Sequence, residues 1–161
     1  MKLPEVELIR LDVNDPDQVG FMYKVRTNKK VDSYLTGSPP KDLGTHIKYL
    51  IGVKKEKAFF LVTDLKSKEY VGYCQFTMDY EQEVEVGWVV HPDHWGKGYG
   101  KISVKKTIEL MKSWFPKGTK FILYVLKKNE KAIHIYKSFG FEETWSAEIL
   151  IDGIKMGMVN E

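Results

Sequence analysis

Apolar and polar positions alternate along the chain with two different periods, and the changes between them predict a mixed α/β fold. Residues 6–12 (VELIRLD) alternate between apolar and polar positions, apart from the adjacent Leu8 and Ile9, which predicts a strand. A helix is predicted next, with Asp15 before its first turn and Pro16 just inside it. The stretch 38–55 opens on a turn and continues as a second helix. Its apolar stripe is predicted to consist of Leu43, Ile47, Leu50 and Ile51.

The rest of the chain supplies further strands and helices by the same criteria. Strands are predicted at 57–64, 70–80, 83–90, 120–126, 142–150 and 154–159, and helices at 101–115 and 129–141. The strand at 120–126 (KFILYVL) is continuously apolar after Lys120, which predicts burial on both of its faces. Gly140 is expected to stop the last helix, and Asp152-Gly153 to form the turn of a final hairpin. This order predicts one α/β sheet with helices on its faces.

Composition places the chain among ordinary globular proteins. It has 161 residues, of which 43% are hydrophobic and 29% charged, which fits a single domain spanning 1–161. No apolar run approaches the ~18 residues of a membrane span, and the N-terminus does not resemble a signal peptide. The single cysteine, Cys74, fits a reducing compartment, so a cytoplasmic location is expected.

The net charge of +3 is small, and the lysines occur as dispersed pairs. A nucleic-acid-binding protein normally carries a denser basic stripe, so neither nucleic acid nor membrane is expected as a partner. An anionic small molecule remains possible. The four histidines lack partners at metal-ligand spacing, so no metal site is predicted.

Residues 91–101 (HPDHWGKGYGK) place three glycines between a predicted strand and a predicted helix. The spacing of Gly96, Gly98 and Gly100 does not match a dinucleotide fingerprint, and Trp95 and Ile102 exclude a Walker loop. The position still suits an anion, because the first N–H groups of a helix lack intrahelical partners and carry a positive partial charge. Lys97 and Lys101 would add charge at the rim. A plain glycine turn into a core helix remains the alternative.

A second polar pattern follows the strand 120–126. Asn129, Ala132 and Tyr136 lie at steps of three and four, so they share one face of the last helix. A tyrosine on a helix usually fills a core or a surface. Together with Asn129 at the mouth of the strand, it also suits two contacts along an elongated ligand.

The strand EVEVGWVVHPD, the loop HWGKGYGK and the later NEKAIHIYKSFGF resemble the GNAT superfamily of N-acetyltransferases, which use acetyl-CoA. The resemblance covers about 57–158. It implies a mixed, mostly antiparallel sheet of about seven strands flanked by about four helices, with the coenzyme diphosphate on the glycine loop. Trp95 stands where the family usually has Gln or Arg. The implied coenzyme-binding residues are Trp88, Val89, Val90, Trp95, Gly96, Lys97, Gly98, Tyr99, Gly100, Lys101, Asn129, Ala132 and Tyr136.

The resemblance also implies catalytic roles. Tyr136 matches the tyrosine that protonates the departing thiolate, and the Val89 N–H on a bulged fourth strand matches the donor to the developing oxyanion. Glu85 lies where similar enzymes carry a proton acceptor, acting directly or through water. The alternative is that Glu85 is one of three alternating exposed carboxylates with Glu81 and Glu83.

Residues 23–35 (YKVRTNKKVDSYL) and 42–50 (DLGTHIKYL) resemble the acetyltransferases that modify the 4-amino group of nucleotide-linked amino sugars in the pseudaminic acid pathway. This implies a UDP-linked amino sugar as the acceptor, with Arg26, Tyr34, His46 and Thr77 binding it. Arg26 could instead be a surface charge closing a helix, and His46 a polar helix residue. Alternative functions are acetylation of a protein N-terminus and non-catalytic sensing of coenzyme A esters. A homodimer is possible.

Overall fold

In the computed structural model, which describes residues 2–35, 37–78, 83–144 and 152–161, seven strands form one sheet. The strands are β1 Val6–Arg10, β2 Lys57–Asp64, β3 Tyr70–Met78, β4 Glu83–Val90, β5 Lys120–Leu126, β6 Glu142–Thr144 and β7 Gly153–Val159. Their order is β1-β2-β3-β4-β5-β7-β6, and all neighbours are antiparallel except β4 and β5. The predicted fold class is confirmed.

Five α-helices and a short 3-10 turn flank the sheet over the described residues. The helices are α1 Pro16–Arg26, α2 Lys29–Asp32, α3 Leu43–Gly52, α4 Tyr99–Trp114 and α5 Glu130–Ser138, and the turn is Pro92–His94. Side chains cap three of the four longer helices: Asp15 begins α1, Asp42 begins α3 and Asn129 begins α5. The N-cap of α4 is Gly98, which offers no side chain to its first N–H groups.

The strands 57–64, 83–90 and 120–126 have the predicted limits, whereas β1 ends at Arg10, α4 begins at Tyr99 and α5 ends at Ser138, each two or three residues from the prediction. Residues 79 and 80 of the predicted strand 70–80 lie outside the described residues. The single turn α2 was not predicted. Within 142–150, the structure describes only β6, and residues 145–151 lie outside the described residues.

The predicted stripe of α3 is wrong in part. Leu50 is buried, but Leu43 and Ile51 are 42% and 47% exposed, and His46 is buried instead. The inward face of α3 is therefore set by His46 and Leu50, four residues apart. The apolar stripe predicted burial of too many residues, because this short helix covers the edge of a cavity as well as the core.

Two hydrophobic cores lie on opposite faces of the sheet. One packs the sheet against α4 and α5, with Phe76, Met111 and Phe121 fully buried at its centre. The other packs the opposite face against α1 and α3, through Val25 and Leu61. The prediction that 120–126 is buried on both faces holds only in part, because Tyr124 is 38% exposed.

The centre of the sheet opens where β4 and β5 part. These parallel strands pair over Glu83–Glu85 and Lys120–Ile122. The later residues of both strands line a cavity instead. The backbone edges of β4 and β5 therefore form the two sides of a wedge.

The predicted bulge in the fourth strand is not found. β4 pairs with β3 in one unbroken register, from Gly72↔Val90 to Met78↔Val84. The backbones approach closely at the wedge end of this ladder: a Cβ on Gly72 would lie 2.2 Å from the carbonyl oxygen of Val89. Only glycine fits there.

Candidate active site

A cavity of about 1060 Å³ occupies the wedge and continues beneath α1 and α3. Its size suits an elongated ligand together with a second small molecule. Nearly all of the predicted site residues line it. The two that do not are Thr77 and Lys97.

The glycine loop forms one wall of the cavity with a backbone conformation that glycine adopts readily. Gly96 and Gly98 have φ of 76° and 89°, in the left-handed region that favours glycine. Since Gly98 provides no side-chain cap, the first N–H groups of α4 remain available to an anion. Lys101 lines the same wall. The loop therefore has the donors and the charge that a diphosphate requires.

Lys97 does not contribute its side chain to this wall. Its Nζ donates a hydrogen bond to the carbonyl of Asp93, at 3.2 Å, and turns away from the cavity. The predicted rim charge is thus provided by Lys101 alone of the two lysines. The amides of the loop are unaffected.

Trp95 reaches backwards from the loop. Its Nε1 donates to the carbonyl of Val90 at 2.8 Å, and its ring meets that of Tyr34 edge-on at 6.1 Å. The Nζ of Lys128 lies 5.2 Å from the centre of the Tyr34 ring. Tyr34 thereby contacts residues that follow β4 and β5, the two strands that form the wedge.

The start of α4 is held in place by Tyr99, which also lines the cavity. Its hydroxyl donates to Asp64 Oδ2 at 2.5 Å, and Asp64 Oδ1 accepts from the N–H groups of Lys66 and Ser67. The Tyr99 bond, followed by the backbone donors, lowers the pKa of Asp64 to about 2, and the same bond raises the pKa of Tyr99 to about 12. The Tyr99 side chain therefore anchors the loop.

The opposite side of the wedge carries Tyr136. Its ring lies 5.2 Å from Trp88 and 6.2 Å from Phe141, centre to centre. Burial raises the pKa of Tyr136 to about 12, so its hydroxyl keeps its proton at neutral pH and can act as a donor. The Asn129 Oδ1 accepts from the N–H of Ala132 at 3.4 Å, which leaves the amide nitrogen of Asn129 to donate.

The direction of the N–H groups along β4 corrects the prediction for Val89. The N–H of His91 donates to Val71 across the β3 edge. Directions alternate along an antiparallel strand, so in this unbroken register the N–H of Val89 also faces β3. The N–H groups of Trp88 and Val90 face the wedge instead. Without the expected bulge, the N–H of Val89 does not point into the wedge.

Glu85 shares a face with the residues under α1 and α3. The cross-strand pairs Tyr73↔Val89 and Thr77↔Glu85 lie on one side of the sheet, and Tyr73 belongs to the core beneath these helices. Glu85 lines the cavity, which supports the proton-acceptor interpretation over that of an exposed carboxylate. The Oε2 of Glu83 lies 3.8 Å from the Nζ of Lys155. Glu81 is outside the described residues.

The remaining predicted acceptor residues are partly engaged. Arg26 ends α1, as its alternative interpretation required, but its side chain is 15% exposed and bonds to Asp32 at 3.2 Å. His46 is 5% exposed, with its ring 5.9 Å from that of Tyr23. Burial, with Arg26 nearby, lowers the pKa of His46. Within the described residues, its Nε2 is buried without a hydrogen-bond partner.

Sequence reasoning missed several residues of the acceptor side, which are Tyr49, Lys57, Tyr73 and Gln75. They belong to α3, β2 and β3, and no local motif marks them. Alternation in β3 could have grouped Tyr73 with Gln75 on one face. The pairing of strands, which places Lys57 beside them, is not readable from one sequence.

A wedge between parallel strands, flanked by a glycine loop at a helix start and a protonated tyrosine, defines an acyl-coenzyme A-dependent transferase. The sequence profile of the acetyltransferase (GNAT) family matches residues 21–141, and the chain belongs to this family. Acetyl-CoA is therefore its acetyl donor, and the loop amides and Lys101 fit that ligand.

Solved structures share the fold at low sequence identity. Spermidine N-acetyltransferase from Vibrio cholerae, in complex with CoA and spermine, is 21% identical with a TM-score of 0.83, over 96% of this chain and 95% of that one. A domain from Methanocaldococcus jannaschii is 16% identical with a TM-score of 0.80, over 97% and 99%. A dodecameric structure of the Vibrio enzyme is 19% identical with a TM-score of 0.76, over 96% and 94%. No curated protein sequence matches significantly.

Metal-ligand clusters and membrane-spanning helices are absent from the described residues. In the described parts of the chain, no group of three His, Cys, Asp or Glu residues could hold a metal ion. None of the described helices has the length and apolar character needed to cross a bilayer. Cys74 is buried, and burial raises the pKa of its thiol to about 12, so it is unreactive.

Proposed function

We propose that the protein transfers an acetyl group from acetyl-CoA to a primary amine of a nucleotide-linked amino sugar, namely the 4-amino group of a UDP-linked sugar. The charge of the cavity is the observation that carries this proposal. Its described lining contains four cationic side chains, Lys101 and Lys131 on the coenzyme side and Arg26 and Lys57 on the acceptor side, but one carboxylate, Glu85. A diphosphate-bearing acceptor complements such a surface, and Arg26 retains N–H donors besides the one that contacts Asp32.

The same charges disfavour a polyamine acceptor. The Vibrio neighbour is described in complex with spermine, a polycation. A polycation in this cavity would approach the positive charges of Arg26 and Lys57. Among the described residues of the lining, Glu85 is the carboxylate that could offset this repulsion. Like charges at close range in a partly desolvated pocket repel strongly.

In the proposed mechanism, the amides of the glycine loop and Lys101 bind the diphosphate of the coenzyme, and the Asn129 amide donates to its pantetheine arm. Acetyl-CoA supplies the thioester carbonyl. Glu85, directly or through water, takes a proton from the attacking amine while the N–C bond forms. A wedge-facing N–H, that of Trp88, donates to the carbonyl oxygen as it gains charge. The C–S bond breaks, and Tyr136 gives its proton to the sulfur.

A comparison of turnover with different acceptors tests the proposal. Purified protein is supplied with labelled acetyl-CoA and, separately, a UDP-linked 4-amino sugar, spermidine and a short peptide with a free N-terminus. We expect kcat/KM to be highest for the UDP-linked sugar, by at least tenfold. Turnover confined to the peptide would support N-terminal acetylation, and turnover confined to spermidine would support a polyamine enzyme. Binding of acetyl-CoA without any turnover would favour a sensor.

A further inference from the structure

The acceptor side of the cavity contains one cation whose described hydrogen bond goes to a neutral group. Arg26 is bonded to Asp32. Lys101 lies in the first turn of α4 and Lys131 on α5, both on the coenzyme side. Lys57, at the start of β2, bonds instead to the hydroxyl of Tyr49.

Tyr49 holds the Lys57 ammonium at the cavity wall. Lys57 Nζ lies 3.0 Å from Tyr49 Oη and 5.7 Å from the centre of the Tyr49 ring. Both side chains line the cavity. An ammonium has three donors, and Tyr49 takes one, so two remain for a ligand. A cation in this position is a preformed half of an anion-binding site.

The register of the sheet fixes the distance between this ammonium and the proposed site of chemistry. Lys57 pairs with Thr77, and Thr77 pairs with Glu85, so the three residues form one row across β2, β3 and β4. Adjacent strands are ~4.8 Å apart, which separates the backbones of Lys57 and Glu85 by about 10 Å. An acceptor with its amine at Glu85 would thus extend its other end toward Lys57.

We propose that Lys57, positioned by Tyr49, recognises the anionic end of the acceptor and so determines its class. This inference rests on the proposed function for the identity of the amine. The acceptor would carry a phosphate group at the end of the molecule opposite its amine, as a nucleotide-linked sugar does. Lys57 is then a specificity residue, with no part in proton transfer.

The first test is kinetic and compares Lys57→Gln with the wild type. The acceptors are a UDP-linked 4-amino sugar and the methyl glycoside of the same sugar, which lacks phosphate. We expect KM for the UDP-linked sugar to rise at least tenfold with kcat changed less than threefold, and KM for the glycoside to stay the same. Lys55→Gln, on the exposed surface, is the matched control. An equal rise in KM for both acceptors, or no rise for either, would overturn the proposal.

A binding test separates this inference from the proposed function. Titration calorimetry with UDP, at saturating coenzyme A so that the glycine loop is filled, measures the anion site without any amine. We expect UDP to bind the wild type at least tenfold more tightly than Lys57→Gln, with Tyr49→Phe in between. If the wild type failed to acetylate the sugar but showed this pattern, the proposed acceptor would be wrong and the Lys57 site would stand. Equal binding of UDP to both proteins, or none to the wild type, would refute the Lys57 site.

Discussion

At the scale of single residues, the environment of Tyr136 decides which proton it can move. Its ring is packed between Trp88 and Phe141, and burial holds the pKa of its hydroxyl at about 12. The hydroxyl is therefore protonated at every pH at which the protein would normally be assayed. An alkaline limb of the activity profile below pH 10 would have to come from another group.

We predict that Tyr136→Phe lowers kcat by about 10²-fold or more, the usual contribution of a positioned proton donor. KM for acetyl-CoA should change little, because the ring and its contacts with Trp88 and Phe141 are kept. Steady-state kinetics checks both values. Tyr124→Phe makes the same chemical change at another position in the cavity lining and should leave kcat within twofold. Undiminished turnover by Tyr136→Phe would remove this residue from the acid role.

Two buried histidines make the stability of the folded protein depend on pH. His46 and His91 are both 5% exposed, and burial lowers the pKa of each below 6.5. For His46, Arg26 acts in the same direction. For His91, Asp93 opposes the shift, whereas Lys24 and His94 add to it. The unfolded chain binds protons at these positions more readily than the folded one, so their contribution to stability is complete above pH 6.5 and is lost as pH falls below it.

We therefore predict that the wild type loses thermal stability between pH 6.5 and pH 5. The loss should be smaller in His46→Asn and His91→Asn, since an amide does not titrate. Melting temperatures over pH 5–8 measure the slope for each variant. His134→Asn, on an exposed position of α5, is the control and should retain the wild-type slope. A slope unchanged in both buried variants would contradict this assignment.

At the scale of elements, the geometry of the site depends on how β3 and the glycine loop hold the end of β4. The close approach of Gly72 to the carbonyl of Val89 leaves no space for a side chain. The same stretch of β4 carries the Trp88 and Val90 N–H groups that face the wedge. A small steric change in β3 should therefore act on the chemistry.

We predict that Gly72→Ala destabilises the protein by about 1–3 kcal/mol, the usual range for overpacking. Because backbone must move rather than a flexible side chain, kcat should fall more than tenfold. Chemical denaturation and steady-state kinetics measure the two effects. Gly87→Ala provides a control in β4 itself, where the added Cβ would meet only the Gln75 side chain, at 3.6 Å. If both variants behaved alike, the contact with Val89 would have no special importance.

The anchor between Tyr99 and Asp64 predicts a second effect at this scale. Tyr99→Phe leaves a carboxylate that has lost its side-chain donor, which costs about 1–3 kcal/mol of unfolding free energy. Affinity for coenzyme A should also fall, because the hydroxyl fixes the first turn of α4. A double-mutant cycle with Asp64→Asn isolates the pair. Additive effects on stability would mean that the two side chains do not interact.

Local signals in the sequence were sufficient to predict most helices and strands, but not which of their groups face a cavity or a neighbouring strand. Asp15 and Gly140 marked helix ends correctly because capping and left-handed backbone are properties of a few neighbouring residues. The stripe of α3 was misjudged, since its burial depends on a cavity made by distant strands. The same limit applies to Val89: a strand pattern does not tell which neighbour each N–H faces.

At the scale of the whole molecule, charge is distributed unevenly in a way that composition hides. The net charge of +3 comes from 25 basic and 22 acidic residues, which is close to balance. In the described lining of the cavity, however, four cations face one carboxylate. The family motifs could be read from the sequence because they are contiguous. The acceptor wall could not, because Arg26, Tyr49 and Lys57 meet only after the helices fold over the sheet.

The parting of β4 and β5 has a mechanical consequence. Within the described residues, the two parts of the sheet, β1–β4 and β5–β7, are joined along their shared border by three paired residues of each strand. A long ligand with amide groups of its own would lie between β4 and β5 as an additional strand, and would link the two parts of the sheet. The sheet would then become continuous only when the coenzyme is bound, before the chemical step.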